Sequence, residues 1–352
     1  MAVYLVNILL ILVWRGLFTK KRFADPKKFF CGAASFQWIL ISGLRDWTVG
    51  ADTLAYANAF ESLKQTPWRT VLENLFGYIF QGLEVKDPGY KVVTKLFQVL
   101  FPNYQIFLIA IAILVMVPMA RFIYKYSASP CTSFILFSTL FYSFYAITGH
   151  RQTIATALIV FYGYDLIRER KFWRFALVAL AAFLIHKSSL VFVPFYFLSR
   201  IRVTKLYTGF FLIATVAAAA LGRSLYGPIA TWIGYGDEMI YYEGGGAELY
   251  ATLLCTLCLI TMFLYPRIRN HRPDAQHLFH AVSMALMTGM LVIQNQGFMR
   301  IQQYYSLFLM VTIPEVINTV KREYRLFVYI LFGMVMILYL IRNNPQYSFF
   351  FM

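Results

Sequence analysis

Charge is scarce in this sequence. Only 14% of its 352 residues are charged while 60% are hydrophobic, and the mean hydropathy is +0.61. That balance excludes a soluble globular protein. Acidic residues are scarcer still, with 16 Asp and Glu against 32 Lys and Arg, for a net charge of +16. The even alternation of outer-membrane barrel strands is missing, so the apolar runs read as helices. Cysteine numbers four, and Cys31, Cys131, Cys255 and Cys258 all fall within or at the ends of apolar runs. Cys255 and Cys258 share a helical face, but no partner His or Cys lies near them, so they read as packing residues rather than a metal or redox pair. A Walker-type glycine loop, HExxH and GxSxG are all absent, which leaves ATP-driven and zinc-dependent chemistry without support. Internal repeats, low-complexity stretches and a soluble domain are also lacking.

What remains is an all-α, polytopic integral membrane protein. Apolar runs at 3–18, 29–44, 104–124, 132–148, 153–167, 206–221, 249–265, 277–293, 301–318 and 326–341 alternate with polar connections. The run 175–198 is interrupted by His186-Lys187-Ser188-Ser189, leaving two pieces too short to span, as expected of two short helices meeting at a polar tip. Counting those pieces gives about twelve membrane helices in one transmembrane domain, 1–352. Residues 45–103 read as a large outer loop after the second helix, with interfacial helices, and 222–248 as a second outer loop.

Charge division supports this layout. Placing the first connection inside assigns 21 of the 32 Lys and Arg and 6 of the 16 acids to inner segments. The inner side then carries +15 and the outer side +1. The basic balance is thus topology, and nucleic acid is set aside as a partner.

The outer side gathers Arg45, Asp46, Asp52, Asp87, His150, Arg151, His186, Lys187, Arg223 and Arg300. Cations at span ends on the outer side are costly and need an acidic partner or an anionic ligand. Arginine's planar fork suits phosphate oxygens. Gly50 lets the backbone after Arg45 turn tightly.

In this order the residues resemble the EpsG-type exopolysaccharide polymerases, relatives of the Wzy-type O-antigen polymerases. Arg45 with Gly50, Asp52, Thr53 and Tyr56 resembles that family's first element, and Asp87-Pro88-Gly89-Tyr90 its acidic-Pro-Gly-Tyr element. Arg151-Gln152, then His186-x-Ser188, complete the central signature, with Arg300 and Tyr304 as a later, less distinctive arginine element. Asp87 stands where Glu is the commoner residue, and Gly149-His150 before Arg151 departs from the pattern.

The resemblance implies a glycosyltransferase of the bacterial inner membrane, multi-pass, with its active face outward. It would join polyprenyl-pyrophosphate-linked oligosaccharide repeats, with flippase and chain-length regulator proteins as partners and the bilayer as its setting. The implied catalytic set is Arg45, Arg151, His186, Asp52 and Asp87, with the base left open among Asp52, Asp87 and His186. Pyrophosphate or substrate contacts fall to Arg45, Arg151, Arg300, Lys187, Gln152, Thr53, Tyr56, Tyr90 and Tyr304. No cofactor and no metal are implied, because the arginines themselves can stabilise the leaving group. The alternatives are an O-antigen ligase, which would share the outer arginines, and a flippase, which would line several span centres with charge. A membrane acyltransferase fits less well, since His150 and His186 fall on the outer side.

Overall fold

The computed structural model describes residues 1–19, 22–232 and 247–351, and these are helical with no strand among them. Lys20 and Lys21 of the expected inner loop, and residues 233–246 of the expected second outer loop, lie outside the described residues, as does the Arg223 side chain. In chain order the helices are α1 (Ala2–Leu17), α2 (Pro26–Gly43), α3 (Thr53–Gln65), α4 (Trp68–Phe80), α5 (Pro88–Leu100) and α6 (Tyr104–Tyr126). After α7 (Pro130–Leu136) come π-helical segments Phe137–Phe141 and Ser143–Thr148, then α8 (Arg151–Thr156), a third π segment Ala157–Tyr162, and α9 (Gly163–Arg168). They are followed by α10 (Phe172–Ile185), α11 (Phe195–Leu198), α12 (Lys205–Trp232), α13 (Glu248–Arg269), α14 (Ala275–Gln294), α15 (Met299–Ser306), α16 (Leu309–Asn318) and α17 (Arg322–Asn343).

Five of these are long and apolar enough to cross a membrane: α6, α12 over Lys205–Gly222, α13, α14 and α17. Other apolar helices, such as α1, α10 and α16, are shorter than a full span. Helix α12 continues past Gly222 to Trp232, so the expected loop starts later than composition suggested. The alanine-rich run before Gly222 favours helix, and one glycine costs too little to stop it.

The chain divides into two compact units, 1–187 with 331–352, and 188–330. In the first, α2 packs along α6 so closely that a Cβ on Gly43 would stand 2.9 Å from the Ile109 Cα. Helices α1, α2 and the π segment after α7 are tied by polar groups inside an apolar bundle. Asn7 and Trp38 both donate to Ser138 Oγ, at 3.1 and 3.0 Å, and Gln37 Nε2 donates to the Asn7 carbonyl at 2.8 Å. Such bonds fix register where helix packing alone is permissive.

One end of this unit is cationic. Lys27 donates to the Ser127 carbonyl at 2.7 Å, and Asp165 is clamped by Arg121 at 2.6 Å, by Lys125 at 2.8 Å and by the Tyr126 hydroxyl. At the other end of α2 the segment 347–350 lies alongside 41–46. Tyr347 donates to the Ile41 carbonyl at 2.7 Å, the Asp46 amide to Ser348 at 3.0 Å, and the Phe350 amide to Leu44 at 3.0 Å. The expected outer loop 45–103 is an ordered layer, in which α5 holds the end of α3. Lys95 Nζ reaches the Leu63 carbonyl at 2.9 Å and Gln98 reaches that of Phe60 at 2.6 Å. Leu72, Phe76, Ile79 and Phe80 are exposed along α4, the amphipathic stretch expected there.

In the second unit α14 packs against α12, α13 and α15. A Cβ on Gly289 would stand 2.7 Å from Cys255 Sγ, so the cysteine fills the space that the glycine leaves. Both Cys255 and Cys258 are buried packing groups, as the sequence suggested.

Candidate functional site

The site in the first unit is built around Asp87. Its backbone is left-handed, with φ of 47°, which Asp tolerates better than most residues. Pro88 then opens α5 with its φ already set for a helix. Gly89 lies against the last turn of α10, where a Cβ would stand 2.6 Å from the Leu184 carbonyl oxygen. Close approach of the two backbones therefore requires glycine, and it brings Asp87 to the residues that follow α10. There the helix stops, and His186 is extended, with φ of −159°.

Two cationic or donor groups converge on one oxygen of Asp87. Arg151 Nη1 lies 2.7 Å from Oδ2 and His186 Nδ1 lies 3.2 Å from the same atom. The Lys187 amide also donates to this carboxylate. Burial pushes the Asp87 carboxyl up, but His186, Arg151 and the amide together outweigh it and leave it below the usual range. Asp87 is thus a carboxylate at neutral pH that orients two partners.

From Arg151 the contacts continue to Arg45. Arg151 Nε donates to the Tyr56 hydroxyl at 3.2 Å, and its guanidinium carbon lies 5.5 Å from the centre of the same ring. The opposite partner of Tyr56 is His150, stacked at 4.1 Å with 15° between planes. His150 Nε2 lies 3.0 Å from Arg45 Nη2, and Arg45 Nη1 donates to the Ser42 carbonyl. Arg45 is 2% exposed and His150 is fully buried. Burial brings the Arg45 guanidinium down to about 10, so it stays charged. Burial first, then the charges of Arg45 and Arg151, hold His150 well below the ordinary histidine value.

Local backbone positions these groups. The π segment Ser143–Thr148 ends with the Gly149 amide bonded to the Phe144 carbonyl at 2.8 Å, five residues back. That wider turn releases His150 from the helix before α8 starts at Arg151. Thr153 closes the turn by donating to the Gly149 and His150 carbonyls at 2.7 and 2.8 Å. Gly50 is left-handed at φ of 100°, and a side chain there would meet Thr53 Oγ1 at 2.7 Å. Thr53 in turn donates to the Val49 carbonyl at 2.7 Å and accepts, through its own carbonyl, from the Tyr104 hydroxyl at 3.0 Å.

Of the residues expected from the sequence, Arg45, Tyr56, Asp87, Arg151 and His186 form one continuous series of contacts. Tyr90 is buried beside it, with its ring 6.0 Å from that of Tyr56. Thr53 pins the turn rather than facing the series, Gln152 is buried at the start of α8, and Lys187 contributes its amide. Asp52 precedes α3 with an exposed side chain and makes no capping hydrogen bond. Asp46 is bonded to Thr48, through its amide at 2.9 Å and its hydroxyl at 2.6 Å. Arg300 and Tyr304 lie on α15 of the second unit, where the Tyr304 hydroxyl is 2.9 Å from Ser188 Oγ.

Sequence reading missed His150 as the link between the two arginines. Its only sequence signal is a titratable ring beside Arg151 at a span end. It also missed the segment 347–350, whose pairing with 41–46 has no local signature.

A family model described as the EpsG family matches residues 28–351, nearly the whole chain. No curated protein matches the chain, and no solved structure does. The span of that match leads to one assignment: this chain belongs to the EpsG family, a family of Wzy-like polymerases.

Proposed function

We propose that this protein is a polysaccharide polymerase that joins polyprenyl-pyrophosphate-linked oligosaccharide repeats by metal-independent glycosyl transfer at the outer face of a bacterial inner membrane. The observation that carries the reading is the shared Asp87 oxygen, which holds an arginine and a histidine side by side. Glycosyl transfer from a pyrophosphate needs that pair of functions, a fixed cation for the leaving group and a base for the attacking hydroxyl.

In this mechanism the acceptor hydroxyl oxygen attacks the anomeric carbon of the donor glycan. The bond from that carbon to the pyrophosphate oxygen breaks, and the lipid pyrophosphate departs with the electron pair. Arg151 meets the developing negative charge. His186 takes the hydroxyl proton on Nε2, because its Nδ1–H is held on Asp87 and so fixes the tautomer. Asp87 orients both groups and takes no proton. Arg45, enclosed beneath His150, acts as a positioning charge, and Arg300 is assigned to substrate phosphate by resemblance alone. The shorter apolar helices complete the membrane domain of about twelve helices. The cationic end of the first unit faces inward, and the end bearing Arg45 and Arg151 faces outward.

The test is reconstitution of the purified protein with one lipid-linked repeat unit. A ladder of products on the lipid carrier is expected from the native chain, and none from His186→Ala. Transfer only to an acceptor that is not lipid-linked repeat would overturn the polymerase reading in favour of a ligase.

A further inference from the structure

We infer that His150 is a positioning residue that acts as a neutral hydrogen-bond acceptor, with its proton on Nδ1, and thereby couples the Arg45 and Arg151 guanidinium groups through Tyr56. The inference rests on the polymerase reading only for its effect on activity; the tautomer stands apart from it.

The geometry leaves one arrangement. Arg45 Nη2 is a donor at all working pH values, since the guanidinium keeps its proton. At 3.0 Å from it, His150 Nε2 has to accept, because two N–H groups at that separation would face each other. A neutral ring that accepts at Nε2 carries its proton at Nδ1, which is buried with no hydrogen-bond partner among the described residues, a smaller cost than two N–H groups turned on each other beside a guanidinium. A doubly protonated ring is disfavoured from every packed side. Arg45 follows α2, Arg151 is the next residue, Tyr56 on α3 covers the ring face, and the Tyr104 ring on α6 lies 6.3 Å away. None of these groups carries negative charge at neutral pH. The ring is also fully buried.

Tyr56 gives this acceptor a consequence. One face of the tyrosine is taken by His150, and its hydroxyl accepts from Arg151 Nε at 3.2 Å. Turning the imidazole would therefore release Arg45 at one edge and tilt the ring that carries the Arg151 contact. His150 bonds Arg45 and stacks on Tyr56, and it makes no hydrogen bond to Arg151 or His186, the groups assigned the chemistry.

The experiment has two arms. In the first, the full-length protein with 15N-labelled histidine is reconstituted in liposomes and read by solid-state NMR. The chain has five histidines, so His150 is assigned by the signals lost in His150→Asn. The expected result is a neutral ring protonated at Nδ1 that stays neutral at pH values well below the ordinary histidine value of about 6.5. A proton on Nε2, or titration near the ordinary value, would overturn the assignment whether or not the protein polymerises sugars. In the second arm, His150→Asn, which keeps an acceptor, and His150→Phe, which keeps only the stack, are compared for polymer formation. The acceptor variant is expected to keep about a third or more of the native rate and the phenylalanine variant to lose about tenfold or more in kcat at similar KM, in line with one buried charged hydrogen bond. Equal losses in the two would overturn the acceptor role.

Discussion

Gly89 stands in backbone contact with Leu184, and that contact sets where Asp87 meets His186. A Cβ at Gly89 would lie 2.6 Å from the Leu184 oxygen and 2.7 Å from its carbonyl carbon, both rigid backbone atoms. Gly89→Ala should therefore push α5 away from α10, at a cost of about 1–3 kcal/mol for forced overpacking. Polymer synthesis should fall by up to about a hundredfold through misplacement of Asp87, while the protein still reaches the membrane. Near-native activity measured on equal amounts of membrane-inserted protein would remove this contact from the account of the site.

Arg151→Lys tests the fork. Arg151 bonds Asp87 through Nη1 and Tyr56 through Nε at once, a geometry that a single ammonium cannot reproduce. Polymer formation should drop about a hundredfold or more, as for loss of one preorganised donor to the transition state. Arg300→Lys should be milder. Comparable losses in both variants, measured at matched protein levels, would contradict that ranking.

Asp87→Asn tests the depressed carboxylate. A folded value below the unfolded one, about 3.9, means that Asp87 contributes stability fully present above that pH and lost as pH falls through the folded value. Thermal unfolding in detergent should show the native protein more stable than Asp87→Asn at pH 7, with the gap closing below about pH 4. A gap that stays constant from neutral to acid pH would mean that the ion pair is not its source.

Chelation should not stop the reaction. Arg151 supplies fixed charge beside Asp87, while Asp46 is already bonded to Thr48 and Asp52 is exposed before α3. Reconstituted polymerisation should run at an unchanged rate in EDTA. Arrest by EDTA with recovery on adding Mg²⁺ or Mn²⁺ would reassign these acids as metal ligands.

Orientation is accessible to labelling. Asp52 and Lys171 are exposed, and Cys31, Cys255 and Cys258 are buried. Asp52→Cys should react with an impermeant thiol reagent in intact spheroplasts and Lys171→Cys should not. The reverse pattern would invert the topology.

Much of this site could be read from residue types in order. Asp87-Pro88-Gly89 marks a turn that opens a helix, and the break before His186-Lys187 marks the end of another, so both partners of the Asp87 contact were visible. Their contact was not, because it depends on a glycine meeting a backbone carbonyl on a distant helix. His150 was harder still. Its partner Arg45 is 105 residues away, and its role depends on ring orientation, to which hydropathy is blind. Span counting was limited differently, since π segments and short helices such as α16 give apolar runs of span-like composition without span-length helices. Helix α12 outran its expected end because a lone glycine in an alanine-rich stretch is a weak stop.

The pairing of 347–350 with 41–46 bears on how the protein is made. Tyr347 and Ile41 are separated by 306 positions, so during synthesis the Arg45 turn enters the membrane long before the residues that flank it exist. At roughly 5–20 residues per second, the interval is at least about fifteen seconds. Throughout that time the Leu44 carbonyl and the Asp46 amide lack their later partners. Maturation of the arginine site is therefore a late event in biogenesis, one that an insertion chaperone could shield and a stalled ribosome would leave unfinished.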